Sequence, residues 1–595
     1  MRPVRGPNHN HPAVRYDRIQ RLVAAALKRR VVIGVALGAL ALRLATLTWG
    51  AGLGAYEGMY HPDERAVWSS AQDFPESYRT NRSFDHGTAV QYAVGALLLP
   101  AKARWNAGEP LIHGVPYAQL VLLSVRVAHV LLGALAVLVV YRLGRMLVDR
   151  PTGIAAAAML AVSFYHVLTS AFTTLDAPAG FLIALVVVLA ARAARTARRR
   201  EFVWLGVAAG LLVATKVTAT LVFVPVVILL AYGLIPARRL AARPPDALVS
   251  EEEPPPAARA VLSGSLTAAL VAVAVLVIGM PHVALDPLRF AHAIVDRFAG
   301  AIGNLANPLA LLGAQAYAMR VTMTPPVALL AVAGMLVTPF VMRGEFRGLH
   351  GTLLLLLAVD MVFRGTSALP RHLVPVVPIL CVYAAVPIAL LLRPRWLVAR
   401  TVGAMAATFF VGYSLHHTLL GIEHRRSDSR TAAAAYIATQ LPRGATIALA
   451  PTTGRDPWTT HPWRYPKLPP GSFELVSMLA RPQFIVTTSY ALDDVTNALR
   501  SGAMGADRVW PERLASRWYN SLPPTPDEFR FHESLLDGSA GYVLERRWPK
   551  TARVPLEFPA PEIRLYRLTS ADDVDYPTRA AEGARPARSR AGSGR

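Results

Sequence analysis

The chain alternates long apolar stretches with short polar ones. Val31–Trp49, Tyr117–Leu147, Thr152–Phe172, Gly180–Ala194, Val203–Ala214, Ala219–Leu234, Val261–Met280, Pro326–Met342, Leu349–Val362, Leu373–Leu392 and Leu397–His416 are each dominated by apolar residues. Roughly 20 such residues cross a bilayer as a helix. Val203–Ala214 and Leu349–Val362 fall short of that length. Thr88–Ala103 is also apolar and suits a helix lying at the interface. The pattern predicts a polytopic α-helical membrane domain over residues 31–421, with about 11–13 transmembrane helices.

After Gly421 the pattern changes. "SRTAAAAYIATQL" predicts a helix, with Ser427 or Asp428 as its N-cap. "PRGATIALA", "RPQFIVTTS", "GYVLERRW" and "EIRLYRL" predict short strands. Residues 423–569 therefore read as a small C-terminal α/β domain. Pro451–Gly471, rich in Pro, Trp and Thr, reads as an irregular loop. Residues 1–30 form a basic arm, and the Arg-, Ala-, Gly- and Ser-rich stretch 571–595 reads as a disordered tail. The Pro- and Glu-rich "RPPDALVSEEEPPPAAR" reads as a solvated linker. Two long loops separate apolar runs, 50–115 and 281–325. The second holds "PLRFAHAIVDRFAGAI", whose apolar spacing predicts a helix on the membrane surface.

Composition agrees with this division. Of 595 residues, 53% are hydrophobic, which is too apolar for a soluble chain of this length. The net charge is +24, which in a soluble protein would point to nucleic acid. Here Lys and Arg concentrate in alternate loops: 15–30, 142–150, 192–200, 238–243, 343–347 and 393–400. That is the positive-inside asymmetry. It predicts a multi-pass plasma-membrane protein with a cytoplasmic N-terminus and an extracytoplasmic C-terminal domain. The bilayer is then the partner of the basic residues, and no nucleic-acid partner is expected. The lone cysteine, Cys381, lies inside an expected span, which excludes an intramolecular disulfide and a Cys-based metal cluster.

Ionisable residues collect at one side of the expected membrane. "HPDE" at His61–Glu64 follows the first span, and Pro62 disfavours helix at His61. Asp63 and Glu64 suit the positive end of a helix dipole, and equally a cavity at the membrane surface. Asp176 in "TTLDAPAGF" stands between two apolar runs. It is a helix N-cap by type, yet an acid there is costly unless it faces a polar cavity or partner. Lys216 in "LLVATKVTATLVF" must snorkel or pair. Arg371 and His372 in "ALPRHLVPVVPIL" begin the next-to-last span. His166 and His282 lie near the same side. Carboxylates for proton transfer beside cations for a phosphate make a coherent site. No metal-ligand spacing is present. The chain has no Walker loop, dinucleotide fingerprint or nucleophile elbow. Asn81-Arg82-Ser83 matches a glycosylation sequon, a frequent chance match.

These motifs, in this order, resemble the GT-C superfamily of membrane glycosyltransferases. The branch is the bacterial one related to protein O-mannosyltransferases and lipid A aminoarabinose transferases. The resemblance runs from Arg43-Leu44 to "EIRLYRL", with "HPDE" its most specific piece. "SVRVAHVLLGALAVLVVYRLGRML", "TTLDAPAGF", "ATKVTA" and "PRHLVPVVPIL" carry the rest. It implies a GT-C-like fold and transfer of a sugar from a polyprenyl-phosphate-linked donor to an extracytoplasmic acceptor. It implies Asp63 as catalytic base, Glu64 as a neighbour positioning acceptor or a divalent metal, and Asp176 as a second acid. Lys216 and Arg371 match positions that hold the carrier phosphate, with His61 and His372 beside them. The aromatic-acidic signature that follows "HPDE" in the anchor mannosyltransferases is missing, so the resemblance does not fix mannose as the sugar. Two other classes share the span count: a transporter or flippase of lipid-linked intermediates, and a lipid-linked oligosaccharide polymerase or ligase. A transporter would place its charges near the bilayer midplane, often in repeated halves. Here the charges gather at one face, and no repeat is evident.

Overall fold

The computed structural model describes residues 30–50, 63–81, 84, 87–111, 114–233, 258–342, 346–365, 370–393, 396–449, 474–475, 481–488, 526–549 and 562–569. His61, the N-terminal arm up to residue 29, the Pro451–Gly471 loop, the tail and most of the Pro- and Glu-rich linker lie outside the described residues. The chain divides into two compact units, Met1–Leu47 with Asp63–Ile422, and Thr48–Pro62 with Glu423–Arg595.

The first unit is helical. Among the described residues of the chain, five helical stretches are long and apolar enough to cross a membrane: Tyr117–Leu147, Asp176–Thr196, Ala258–Gly279, Pro370–Leu392 and Leu397–Gln440, the last of which includes residues of the second unit from Glu423 on. Two bent pairs raise the number to at most seven, Arg150–Ala161 with Phe164–Ser170 at 59° and Pro308–Met323 with Pro325–Val341 at 118°. Two expected spans are interrupted, and both interruptions have a visible physical cause. In Thr152–Phe172 the helix stops at Ala161, where side chains take over the carbonyls. Arg43 donates to the carbonyls of Leu160 and Ala161, both at 3.2 Å. Thr418 Oγ1 donates to that of Val162 at 2.8 Å. A buried carbonyl without such a partner would be costly. In the 373–392 run, Pro370–Val376 winds as a 3₁₀ helix before Val377–Leu392 becomes α-helical. Pro370 and Pro375 have no N–H for an α-helical ladder.

Thr88–Ala103 is two short helices, Ala89–Leu97 and Leu99–Asn106. The 281–325 loop contains the amphipathic helix Pro287–Gly303, capped by Asp286 accepting from the Arg289 N–H at 3.2 Å. Its remainder is helical too, because Pro308–Met323 belongs to the second bent pair. The core lies between the long helices, and Val377–Leu392 is buried over nearly its whole length. Helix Pro325–Val341 comes so close to it that a Cβ on Gly334 would collide with the Tyr383 carbonyl. Only glycine allows that approach.

Ion pairs tie together loops that charge asymmetry had grouped. Asp149 caps helix Arg150–Ala161 and accepts from Thr152 N–H at 2.9 Å and Arg393 Nε at 2.8 Å. Burial pushes the Asp149 carboxyl up, but bonds from Thr152 and Arg393 outweigh it and leave the group below the usual carboxylate range. Arg192 pairs with Glu201 at 2.7 Å across the next basic loop.

In the second unit, strands β1 (Thr446–Leu449), β2 (Glu474–Leu475), β3 (Phe484–Thr488), β4 (Tyr542–Trp548) and β5 (Ile563–Leu568) form one sheet in the order β2-β1-β3-β5-β4. β1 runs parallel to β2 and β3, while β5 is antiparallel to β3 and β4. Four of these strands are the predicted ones, whereas β2 and helix Pro526–Asp537 had no clear sequence signal. Asp428 caps helix Ser429–Gln440 by accepting from the Arg430 N–H at 2.9 Å. It also accepts from Trp49 Nε1 at 3.0 Å. Ile437 on that helix packs on Ile447, Val486 and Leu565 to form this unit's core.

Candidate active site

Asp63 immediately precedes helix Glu64–Gln72 and makes no side-chain capping bond to it. Its carboxylate instead pairs with Arg371 Nη1 at 2.7 Å. Arg371 comes from the 3₁₀ segment Pro370–Val376, and its side chain is only 3% exposed against 24% for Asp63. A guanidinium that buried does not snorkel to headgroups.

Glu64 is not in the cavity-facing position expected for a residue that handles acceptor or metal. Both it and Arg126 are fully buried. Arg126 Nε donates to Oε1 at 3.0 Å and Nη2 to Oε2 at 2.9 Å, a two-pronged pair. The Thr173 N–H adds a bond to Oε1 at 3.1 Å. One turn further along helix Tyr117–Leu147, His129 Nδ1 donates to the Phe172 carbonyl at 2.9 Å. Arg126 Nη1 also holds the Leu47 carbonyl at 2.8 Å. Two side chains three apart on one helix face thus clamp the Glu64 turn and the Phe172–Thr173 turn together. That clamp sets the positions of Asp63 and Asp176.

Asp176 is the first residue of helix Asp176–Thr196; the N-cap is Leu175. Its carboxylate forms an ion pair with Lys216. Lys216 ends helix Arg199–Thr215 in an extended conformation, before the 3₁₀ turn Val217–Val222. The break points the ammonium inward to a partner rather than along the span. Asp176 also lies within charge–charge reach of His372 and Arg371. Four of the residues singled out by sequence for acid or phosphate chemistry, Asp63, Asp176, Lys216 and Arg371, therefore form two acid–cation pairs, with His372 beside them.

Beside the Asp176–Lys216 pair is a cavity of about 450 Å³, within the usual range for a small-molecule site; Lys216 and His372 line it, whereas Asp63, Asp176 and Arg371 are not among its lining residues. Ile183, Val222, Leu356, Val359, Phe363 and Val376 give it apolar walls. Its polar residues include Lys216, His372, Asp360, Arg364 and Asn304. The cavity can hold a chain of hydrocarbon that ends in an anion.

His166 and His282 do not line it. His166 accepts from Arg43 at 3.0 Å within the protein interior, and His282 is buried with its ring 5.0 Å from that of Phe84. Among the described residues, no group of three or more His, Cys, Asp and Glu side chains is placed to hold a metal ion.

Four residues of this region were missed from sequence. Arg126 and His129 carried a signal, charged or polar side chains within an apolar helix, which by default ask for a buried partner. Asp360 carried the same signal inside the expected span Leu349–Val362, and Arg364 stands four residues on, at helical pairing distance.

Residues 119–249 match the family model described as dolichyl-phosphate-mannose-protein mannosyltransferase. No curated protein matches the chain. Among solved structures, similarity is found to the oligosaccharyltransferase AglB from Archaeoglobus fulgidus, in complex with an inhibitory peptide and a dolichol-phosphate. There the identity is 12%, the TM-score 0.45, and 91% of this chain and 88% of that one are covered. ArnT from Cupriavidus metallidurans is similar in its apo state at 16% identity and TM-score 0.42, over 91% of this chain and 98% of that one. Its structure bound to undecaprenyl phosphate gives 15% identity and TM-score 0.39, over 91% and 97%. The family match spans Arg126, His129, Asp176 and Lys216, and over that segment it agrees with the membrane-glycosyltransferase resemblance carried by the motifs.

Proposed function

We propose that the protein is a membrane glycosyltransferase that moves a sugar from a polyprenyl-phosphate-linked donor to a hydroxyl group of an extracytoplasmic acceptor. The observation that carries this reading is the set of two acid–cation pairs, Asp63–Arg371 and Asp176–Lys216, the second beside an apolar cavity. The family match over residues 119–249 supports the donor class.

The chemistry follows from the pairs. The donor's bridging phosphate is anionic and competes with Asp63 for Arg371 and with Asp176 for Lys216. Displaced from Arg371, the Asp63 carboxylate becomes a stronger base. It takes the proton of the acceptor hydroxyl as that oxygen attacks the anomeric carbon. The new C–O bond forms as the bond from the anomeric carbon to phosphate oxygen breaks, and the electron pair leaves on the polyprenyl phosphate. Arg371 and Lys216 stabilise the growing charge on that leaving group. One displacement with one base inverts the anomeric centre. Glu64 acts from the protein interior, holding Asp63 through Arg126.

Sidedness is part of the proposal. Asp149–Arg393 and Arg192–Glu201 sit in the basic loops, and Asp176, Lys216 and Arg371 sit at the opposite ends of the helical stretches that carry or adjoin Arg192, Glu201 and Arg393. The basic loops are cytoplasmic, so the site and the C-terminal domain face outward. Arg198→Cys and Ser472→Cys, each in a Cys381→Ala background, separate the alternatives with an impermeant thiol reagent on intact cells. Labelling is expected at 472 and not at 198, and the reverse pattern would turn the site inward and remove this mechanism.

The direct test of activity is release of polyprenyl phosphate from labelled lipid-linked sugars by the purified protein. Arg371→Lys refines it. Lysine keeps the charge but not the guanidinium fork. Single-turnover release at saturating donor should fall at least about tenfold, equivalent to about 1.4 kcal/mol. Unchanged turnover would mean that Arg371 contributes only charge.

A further inference from the structure

We infer that Arg364 is a phosphate-binding residue of the same cavity, aimed by Asp360; this rests on the glycosyl-transfer reading above. Both residues lie on helix Arg347–Arg364 and line the cavity, to which the Asp176–Thr196 helix contributes Ile183. Asp360 Oδ2 accepts from Arg364 Nε at 2.6 Å. The Arg364 side chain is 10% exposed, so it is held within the protein and not in open solvent. A guanidinium fixed at Nε keeps its two terminal nitrogens in a set direction. Among the described residues those nitrogens make no other hydrogen bond, and the residue lines the cavity with Lys216 and His372.

A buried arginine beside a second cation is unfavourable unless each is paired with a carboxylate. Asp360 neutralises one of the two charges, and Asp176 the other. The cavity is therefore close to neutral when empty. A phosphate that enters between Lys216 and Arg364 gains two charge-assisted contacts without leaving a bare cation behind in its absence. The end of the helix is built to keep that geometry. Gly365 caps it at φ 61°, a conformation that favours glycine. Asn304 donates to the Val362 carbonyl at 2.9 Å and Gln315 to that of Gly365 at 3.3 Å. Asn304 stands where a Cβ on residue 365 would reach, so the turn accepts no larger residue without moving it.

The test uses the full-length protein in lipid nanodiscs and two probes, a short isoprenyl monophosphate and the matching uncharged alcohol. Arg364→Gln should weaken the monophosphate by roughly tenfold or more, as expected for a lost hydrogen bond to a charged group, and leave the alcohol unchanged. Asp360→Asn keeps an oxygen for Nε and should bind the monophosphate within about threefold of wild type, whereas Asp360→Leu should fall to the level of Arg364→Gln. A structural role alone would change both probes together. Arg364→Gln binding the monophosphate like the wild type, while Lys216→Met does not, overturns the assignment and leaves the donor class standing. A wild-type protein that does not prefer the monophosphate to the alcohol overturns the donor class itself. Should Arg364→Gln lose both probes through misfolding, the Asp360 variants decide: equal monophosphate binding by Asp360→Asn and Asp360→Leu rejects the inference.

Discussion

Asp63→Asn should reduce sugar transfer by about 10²–10⁴-fold, the usual contribution of a positioned general base. The substitution preserves size, and the amide oxygen can still accept a hydrogen bond from Arg371, which lies 2.7 Å from the carboxylate. What it removes is the proton acceptor. Donor binding should survive, because a neutral amide competes less than a carboxylate for the guanidinium that the phosphate needs. The measurement is single-turnover release of polyprenyl phosphate at saturating donor, with donor affinity determined separately. A large loss of turnover with equal or tighter donor binding is the expected signature. Wild-type turnover by a normally folded Asp63→Asn variant would take Asp63 out of the mechanism and move the search for the base to Asp176.

The second large effect is on stability. Arg126→Met should lower the stability of the first unit by about 3–5 kcal/mol, the range found when one partner of a buried ion pair is removed. Glu64 and Arg126 are both at 0% side-chain exposure, so the orphaned carboxylate cannot turn to water. Adding Glu64→Gln should restore much of the loss. A neutral amide tolerates burial far better than a charge, and its oxygen can still accept from the Thr173 N–H, now 3.1 Å from Oε1. Thermal midpoints of the detergent-solubilised protein, compared at one scan rate, give the readout. If the single and double variants melt alike, the Glu64 carboxylate is not the buried charge the geometry describes. Activity should stay low even in the rescued double variant, because Glu64 no longer anchors Asp63 to the long helix.

Several elements were legible in the sequence because their causes are local. Apolar runs of span length became the helices Tyr117–Leu147, Asp176–Thr196 and Ala258–Gly279. β-branched and aromatic runs bounded by turns became strands β1, β3, β4 and β5. Asp428 was legible as one of two candidate caps, with Ser427, since capping is decided within a few residues. One break was not legible. It follows Ala161 and depends on Arg43, more than a hundred residues away, reaching the carbonyls of Leu160 and Ala161. Periodicity within the 152–172 run carries no trace of that partner.

The same division holds for the site. Asp63, Asp176, Lys216 and Arg371 were legible as candidates from sequence alone, because an ionisable side chain at the end of an apolar run must find a partner or a cavity. Which carboxylate meets which cation was decided only by tertiary structure, since each pair joins residues from different helices. Adjacent residues illustrate it best. Asp63 and Glu64 look equivalent in the sequence, yet successive residues entering a helix point about 100° apart. One turns to Arg371 and stays partly exposed, and the other turns into the interior to meet Arg126. The fold gives the same two carboxyl groups different partners and different exposure, because only packing sets the solvent and charge around each.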